Sequence, residues 1–244
     1  MLYYCTNMSK VDTAVILAGG KGLRLRPETI DKPKAMVRVA GKPIIEWVIL
    51  WLKKNGIKNI VLSVDYKKET LASHLGDGRG FGVKIIYNHH KGAKDTGDAF
   101  RSVFKNINLP ETFIAMNGDQ ITNLSIKKLV AHHEKYRPIA TVAVCPMKSP
   151  FGIVHLDENH TIRAFHEKPI LYDKLMNTGI YIFERGIHHY LPKHGAIEKT
   201  TFKKLVREKQ LNAYAHRGFF STVNDHKDLA STEEILKRAK LNFI

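Results

Sequence analysis

The chain has 244 residues, is 43% hydrophobic, and carries 39 Lys and Arg against 23 Asp and Glu, a formal charge of +16. That length bounds it to one large α/β domain or two small ones, and no run approaches the ~20 apolar residues of a membrane-spanning helix. A charge of this sign fits nucleic acid, a membrane surface or small anionic substrates, but its residues are scattered. Lys199, Lys203, Lys204, Arg207 and Lys209 form the one crowded segment. With no RNP-like aromatic motif, zinc-finger spacing or basic arm, neither nucleic acid nor a membrane is expected as a partner.

The first ten residues lack the apolar h-region of a secretory signal, and Cys5 and Cys145 are expected as free thiols. Both features point to the cytoplasm. The first predicted strand, residues 13–18, breaks abruptly into Gly19-Gly20-Lys21-Gly22, followed by Arg24, Arg26 and Lys34. Glycines after a buried strand let backbone N–H groups approach a ligand, and the cations can hold phosphate oxygens. The expectation is a polyphosphate site formed by Leu17, Ala18, Gly19, Gly20, Lys21 and Gly22. A Walker loop is excluded because no Gly-Lys pair has its frame, and the dinucleotide fingerprint fails at Leu25.

Further strands are expected at residues 59–64, 83–87 and 112–116, with helices at 43–55, 67–75, 98–105 and 125–136. Such alternation implies parallel strands with right-handed crossovers. Ligands then lie beyond the carboxyl ends of the strands, where residues 19–26 and Asn117-Gly118-Asp119 both fall. Asp119, freed by Gly118 at a strand tip, is suited to a hard divalent cation. The second half reads as strands at 139–145, 153–156, 162–166 and 177–183 in mixed or antiparallel order. Helices are expected at 186–191, 200–208 and 227–239. Thirteen histidines, with doublets at His89, His132 and His188, show no zinc spacing.

The stretch from Leu17 to Leu25, with Pro27, Thr29, Lys32, Pro33 and Lys34, resembles the signature L-A-G-G-x-G-T-R-L-x-P-x-T…K-P-K of the sugar-1-phosphate nucleotidylyltransferases. Leu23 departs from it, standing where that family has Thr or Ser. The resemblance covers nearly the whole chain and implies the nucleotide-diphospho-sugar transferase fold, a Rossmann-like three-layer α/β sandwich with a mixed, mainly parallel central sheet. It implies one domain, with a nucleotide-binding half at about 11–137, a sugar-phosphate half at about 138–244, and no C-terminal β-helix.

By the same resemblance, Mg²⁺ would rest on Asp119 and on a second ligand near the C-terminal end. The family's aspartate there aligns with Thr222, a poor ligand, whereas Val223-Asn224-Asp225 resembles a V-N-N variant. Asn224 is therefore expected, with Asp225 as the alternative. Glu167-Lys168-Pro169 resembles an E-K-P element in which Lys168 would hold the acceptor phosphate and Glu167 the sugar hydroxyls. Gly152, Asn177 and Thr178 would line the sugar pocket. The base-reading segment falls on His90, Asp95 and Thr96, and leaves the base open: an aspartate suits guanine, a histidine a pyrimidine.

The implied reaction is attack by a sugar 1-phosphate on the α-phosphorus of an NTP, with Arg24, Lys34, Asp119 and Lys168 as the catalytic groups. A cytidylyltransferase for choline, alditol or cyclitol phosphate, and an inactive nucleotide-binding homologue, are the rival readings. Homo-oligomerisation is left open.

Overall fold

A run of β-branched and apolar residues, Thr-Ala-Val-Ile-Leu, has no polar face to turn to water and belongs in the middle of a parallel sheet. In the computed structural model, which describes residues 11–90 and 92–238, this run is β1 (Thr13–Leu17), and Ala14, Val15 and Ile16 are fully buried. The elements that follow are β2 (Arg38–Val39), β3 (Lys42–Pro43), α1 (Ile44–Lys54), β4 (Asn59–Val64), α2 (Lys68–Leu75), β5 (Lys84–His89), α3 (Thr96–Asn106), β6 (Thr112–Asn117), β7 (Gln120–Thr122) and α4 (Ile126–Tyr136). After them come β8 (Ala140–Lys148), β9 (Ile153–Leu156), β10 (Ile162–His166), β11 (Ile170–Glu184), α5 (Thr201–Arg207), β12 (Leu211–Ala215), β13 (Phe220–Thr222) and α6 (His226–Arg238).

Seven strands form one sheet in the order β12-β8-β11-β6-β1-β4-β5. β1 pairs in parallel with β4 and β6, β4 with β5, and β8 with β12, so only β11 runs against the rest. Successive residues of β1 face opposite ways. Ala14 and Ile16 join the core built with α1, α2, α4 and α6, while Val15 joins the core built with α3 and α5. The result is the three-layer arrangement that the resemblance implies, with the parallel strands that the alternating pattern predicts. The carboxyl ends of β1, β4, β5 and β6 share one edge of the sheet, and β11 enters that edge from the opposite direction.

Several elements differ from the sequence expectation. The helix expected at 98–105 starts two residues earlier, at Thr96, so the base-reading segment at Asp95 and Thr96 is a helix start. The span expected as a helix at 186–191 is 3-10 (Arg185–Tyr190), because Pro192 disfavours α geometry at its neighbour. The strand expected at 177–183 is the end of a fifteen-residue strand, β11, with two register shifts against β8. Strands β2, β3, β7, β12 and β13 were not expected. Cys145 is a buried free thiol, and no described helix is long and apolar enough to cross a membrane. Cys5 and Ala239, the expected end of the last helix, lie outside the described residues.

Candidate active site

Beyond β1 the chain turns through Gly19–Gly22, and the amide of Lys34 donates to the carbonyl of Gly20 at 3.2 Å, closing the loop back on itself. Gly19 has no room for a side chain: a Cβ there would stand 2.7 Å from Nε2 of His90. His90 is buried, its Nδ1 lies 2.7 Å from the Ser63 hydroxyl at the end of β4, and burial lowers its pKa. His90 therefore sits as a neutral ring beneath the glycine turn. A cleft of about 400 Å³ opens there, lined by Leu17, Ala18, Gly19, Gly20, Lys34, His90, Asp95, Thr96, Gly118 and Asp119.

Asp95 and Thr96 reach this cleft from the start of α3. Thr96 donates its hydroxyl proton to Glu198 at 3.0 Å and accepts from the amide of Ile197 at 3.0 Å, which fixes the helix start against the 195–198 segment. Asp95, at the N-cap position, makes no side-chain capping bond and leaves its carboxylate to the cleft.

A second opening, of about 460 Å³, is lined by Lys21, Gly22, Leu23, Arg24, Lys34 and Asn224, and three of those six carry positive charge. Leu23, the residue at variance with the family pattern, is exposed. A third, of about 250 Å³, lies on the other side of Asp119 and is lined by Asn117, Asp119, Gln120, Asn177, Thr178, Thr222 and Asn224 among others.

Lys34, Asp119, Asn224 and Asn117 each belong to more than one opening, and the first three meet at the junction. The Lys34 ammonium donates to Oδ2 of Asp119 at 2.5 Å and to Oδ1 of Asn224 at 2.9 Å. Asn224 is brought there by β13, which pairs with β7 immediately after Asp119 and carries the amide of Val223 to the Asp119 carbonyl. The other carboxylate oxygen, Asp119 Oδ1, is buried with no partner. An orphaned anionic oxygen beside an amide oxygen is a donor set for a hard cation. Among the described residues no group of three or more His, Cys, Asp or Glu converges, so such an ion would depend on substrate oxygens for its remaining ligands, as Mg²⁺ does in nucleotide sites.

Asp225 takes no part in this junction. Its Oδ1 accepts from the amides of Lys227 and Asp228, capping α6, and the Asp228 amide is the main cause of its lowered pKa. Thr178 lines the third opening, but its hydroxyl donates to the Ala143 carbonyl at 2.7 Å and is buried. Asn177 accepts from the Gly179 amide and donates to the Tyr181 hydroxyl. Gly152, Glu167 and Lys168 lie together on the β9–β10 hairpin, where Lys168 Nζ is 3.0 Å from Glu167 Oε1. None of these three lines the openings described above.

Gln120 was not expected. It is buried, its Oε1 has no partner, and it lines the third opening. Its position directly after Asp119 was the available signal. Lys94, directly before Asp95, offered the same signal, whereas Ala196, which also lines the first cleft, gave none, because it arrives through tertiary packing.

Residues 13–237 match the Nucleotidyl transferase family. The chain belongs to it. It is 34% identical over 224 residues to the mannose-1-phosphate guanylyltransferase catalytic subunit beta of Dictyostelium discoideum, a match covering 89% of this chain and 62% of that one. It is 35% identical over 196 residues to a UTP–glucose-1-phosphate uridylyltransferase of Synechocystis, covering 73% and 50%. The chain thus spans about three fifths of the length of the first of these relatives. A solved UDP-glucose pyrophosphorylase in complex with UDP-glucose superposes with a TM-score of 0.73 at 18% identity, covering 94% of this chain and 99% of that one. The fold is therefore that of the nucleotide-diphospho-sugar transferases.

Proposed function

We propose that this chain transfers the nucleotidyl group of an NTP, with GTP preferred, to a sugar 1-phosphate and releases pyrophosphate. The observation that carries this reading is the convergence of Lys34, Asp119 and Asn224 where the three openings meet. The nucleoside would occupy the first, the departing phosphates the basic second, and the acceptor the third. A sugar-phosphate oxygen forms a bond to the α-phosphorus as the bond to the β-phosphate oxygen breaks. No protein nucleophile is needed, because the acceptor is already anionic.

The chain's work is alignment and charge relief between two polyanions. Lys34 would leave Asp119 for the α-phosphate, and Arg24, Lys21 and the loop amides would receive the charge on pyrophosphate. Asp119 and Asn224 would hold Mg²⁺, which when bound neutralises charge developing at the phosphate. Asn177, Gln120 and the backbone at Thr178 would face the sugar, and Glu167 and Lys168 would meet it only if the hairpin folds over the acceptor.

The preference for guanine rests on Asp95, whose free carboxylate can accept from both N1–H and N2–H of that base. The Dictyostelium relative is a guanylyltransferase by name, in keeping with that choice. The reading carries with it a half of about 11–137 for the nucleotide, a half of about 138–244 for the acceptor, and a cytoplasmic setting.

Pyrophosphate release with Mg²⁺, measured over five NTPs and a panel of sugar 1-phosphates, tests it. Release from GTP that requires one acceptor is the expected result. Release with choline or alditol phosphate alone, or binding of NTP without release, would overturn it.

A further inference from the structure

Most polar side chains of the third opening are already committed to the protein. The Thr178 hydroxyl goes to the Ala143 carbonyl, Asn177 to the Gly179 amide and the Tyr181 hydroxyl, and Asn224 to Lys34 and Thr222. Gln120 is not committed. It is 4% exposed, its Oε1 is buried without a partner, and neither end of its amide bonds to a described residue.

Strand pairing sets its place. Gln120 lies directly opposite Thr222 where β7 meets β13. Opposed residues of antiparallel strands point to the same face, and both side chains reach the opening. A Cβ on Gly179 would stand 2.5 Å from the end of the Gln120 side chain and 2.7 Å from that of Asn117, so the bare glycine leaves the space in which the Gln120 amide sits. Asn117 is half-buried and keeps some access to water. Gln120 has almost none, and its amide bears a desolvation cost that no bond within the protein offsets.

The amide and the charge around it define the chemistry of a partner. A half-turn of the terminal amide exchanges its oxygen and its NH₂ group, so the side chain can offer either one to the opening. A hydroxyl both donates and accepts, and satisfies either end. Among the described residues no Lys, Arg or His lines this opening, and its one ionised residue is Asp119. A carboxylate or second phosphate on the ring would meet that negative charge with no cation beside it in the opening.

We propose that Gln120 sets acceptor specificity by hydrogen-bonding one hydroxyl of a sugar 1-phosphate whose ring carries no further charge. The inference rests on the transfer reading above for the identity of the occupant. A sugar lacking that hydroxyl leaves the buried amide unpaired, and the site discriminates against it strongly for that reason.

The test compares a panel of hexose 1-phosphates with their monodeoxy analogues, in the parent and in Gln120→Met, which keeps the length and removes both polar ends. With the parent, one analogue should lose about 10²-fold in kcat/KM relative to the intact sugar. Gln120→Met should lose about as much on the intact sugar and no longer separate the two, with KM for the nucleotide unchanged. Its melting temperature should equal or exceed the parent's, because an unpaired buried amide is gone. Gln120→Leu serves if it misfolds. Calorimetric binding of the same sugar phosphates reads the preference without turnover. A binding preference that Gln120→Met erases, in a protein releasing no pyrophosphate, upholds the role of Gln120 and sinks the transfer reading alone. Release that no analogue changes overturns the inference and spares the transfer reading. So does a distinction that Gln120→Met retains. Neither binding nor release with any member of the panel overturns both.

Discussion

With its ammonium between Asp119 and Asn224, Lys34 neutralises the carboxylate in the ligand-free protein and occupies the ground a cation would take. On the proposed reading, metal and lysine would compete until an NTP drew the lysine to its phosphates. Lys34→Met keeps the stem and removes the charge. Pyrophosphate release should fall by about 10²-fold or more, while Mn²⁺ added without nucleotide should bind roughly tenfold tighter, the scale of one charge-assisted hydrogen bond. Electron paramagnetic titration of Mn²⁺ checks the second effect independently of turnover, and equal affinity in the two proteins would remove the competition argument. Asp95 gives a second test at this scale. Asp95→Asn retains the size and loses one acceptor, so kcat/KM for GTP should drop by about 10²-fold with far less change for UTP. A uniform effect on both nucleotides would mean that the base is read elsewhere.

Among the elements, α3 has the most exacting contact. Its second residue, Gly97, faces the carbonyl of Gly195 and the ring of Pro192, and its amide donates to that carbonyl at 3.2 Å. A methyl group at Gly97 has nowhere to go against a backbone oxygen, so Gly97→Ala should cost about 2 kcal/mol, or roughly 4–8 °C in melting temperature for a chain of this size. Because the displaced turn carries Asp95 and Thr96, KM for the nucleotide should rise as well. Scanning fluorimetry and initial rates give both, and a normal Tm would show that the 195–198 segment yields freely.

The elements also differ in how plainly the sequence declared them. β1, β4 and β6 were legible because a buried parallel strand is an unbroken apolar run. α1 and α4 were legible from their helical spacing. β12 was not, since Leu211-Asn212-Ala213-Tyr214-Ala215 is an edge strand with polar and half-exposed positions and a partner on one side only. β7 and β13 are three residues each and exist through their mutual pairing across about a hundred residues of chain, which no local pattern encodes. That pairing brings Asn224 to Asp119, so the choice between Asn224 and Asp225 needed the start of α6. The Glu167-Lys168 element was legible as a motif. Its distance from the junction is a property of the hairpin's pose and lay beyond any local pattern.

At the scale of the molecule, stability should depend on acidity through two buried imidazoles, one just past β5 and one just past β12. His90 lies beneath the glycine turn. His216, just past β12, has its Nε2 3.1 Å from the Phe219 carbonyl. Burial lowers both below the ordinary value of 6.5, against a smaller opposing pull from Asp65 on His90 and from the Phe219 carbonyl on His216. Each therefore binds its proton more weakly in the folded chain than in the unfolded one. Just below pH 6.5 the unfolded chain holds more protons, and unfolding free energy rises with pH there. The stabilisation is complete above pH 6.5 and is lost as pH falls toward the folded-state values. Melting temperature should thus be level near pH 7.5 and decline by about pH 5.5. Growing net positive charge also lowers stability in acid through self-repulsion, so the decline alone does not identify the histidines. The variant carrying His90→Asn and His216→Gln removes both imidazoles and leaves the surface charge as it was. Its acid limb should be distinctly shallower than the parent's. A limb of equal steepness would assign the whole effect to the basic surface and leave the two buried rings with no part in it.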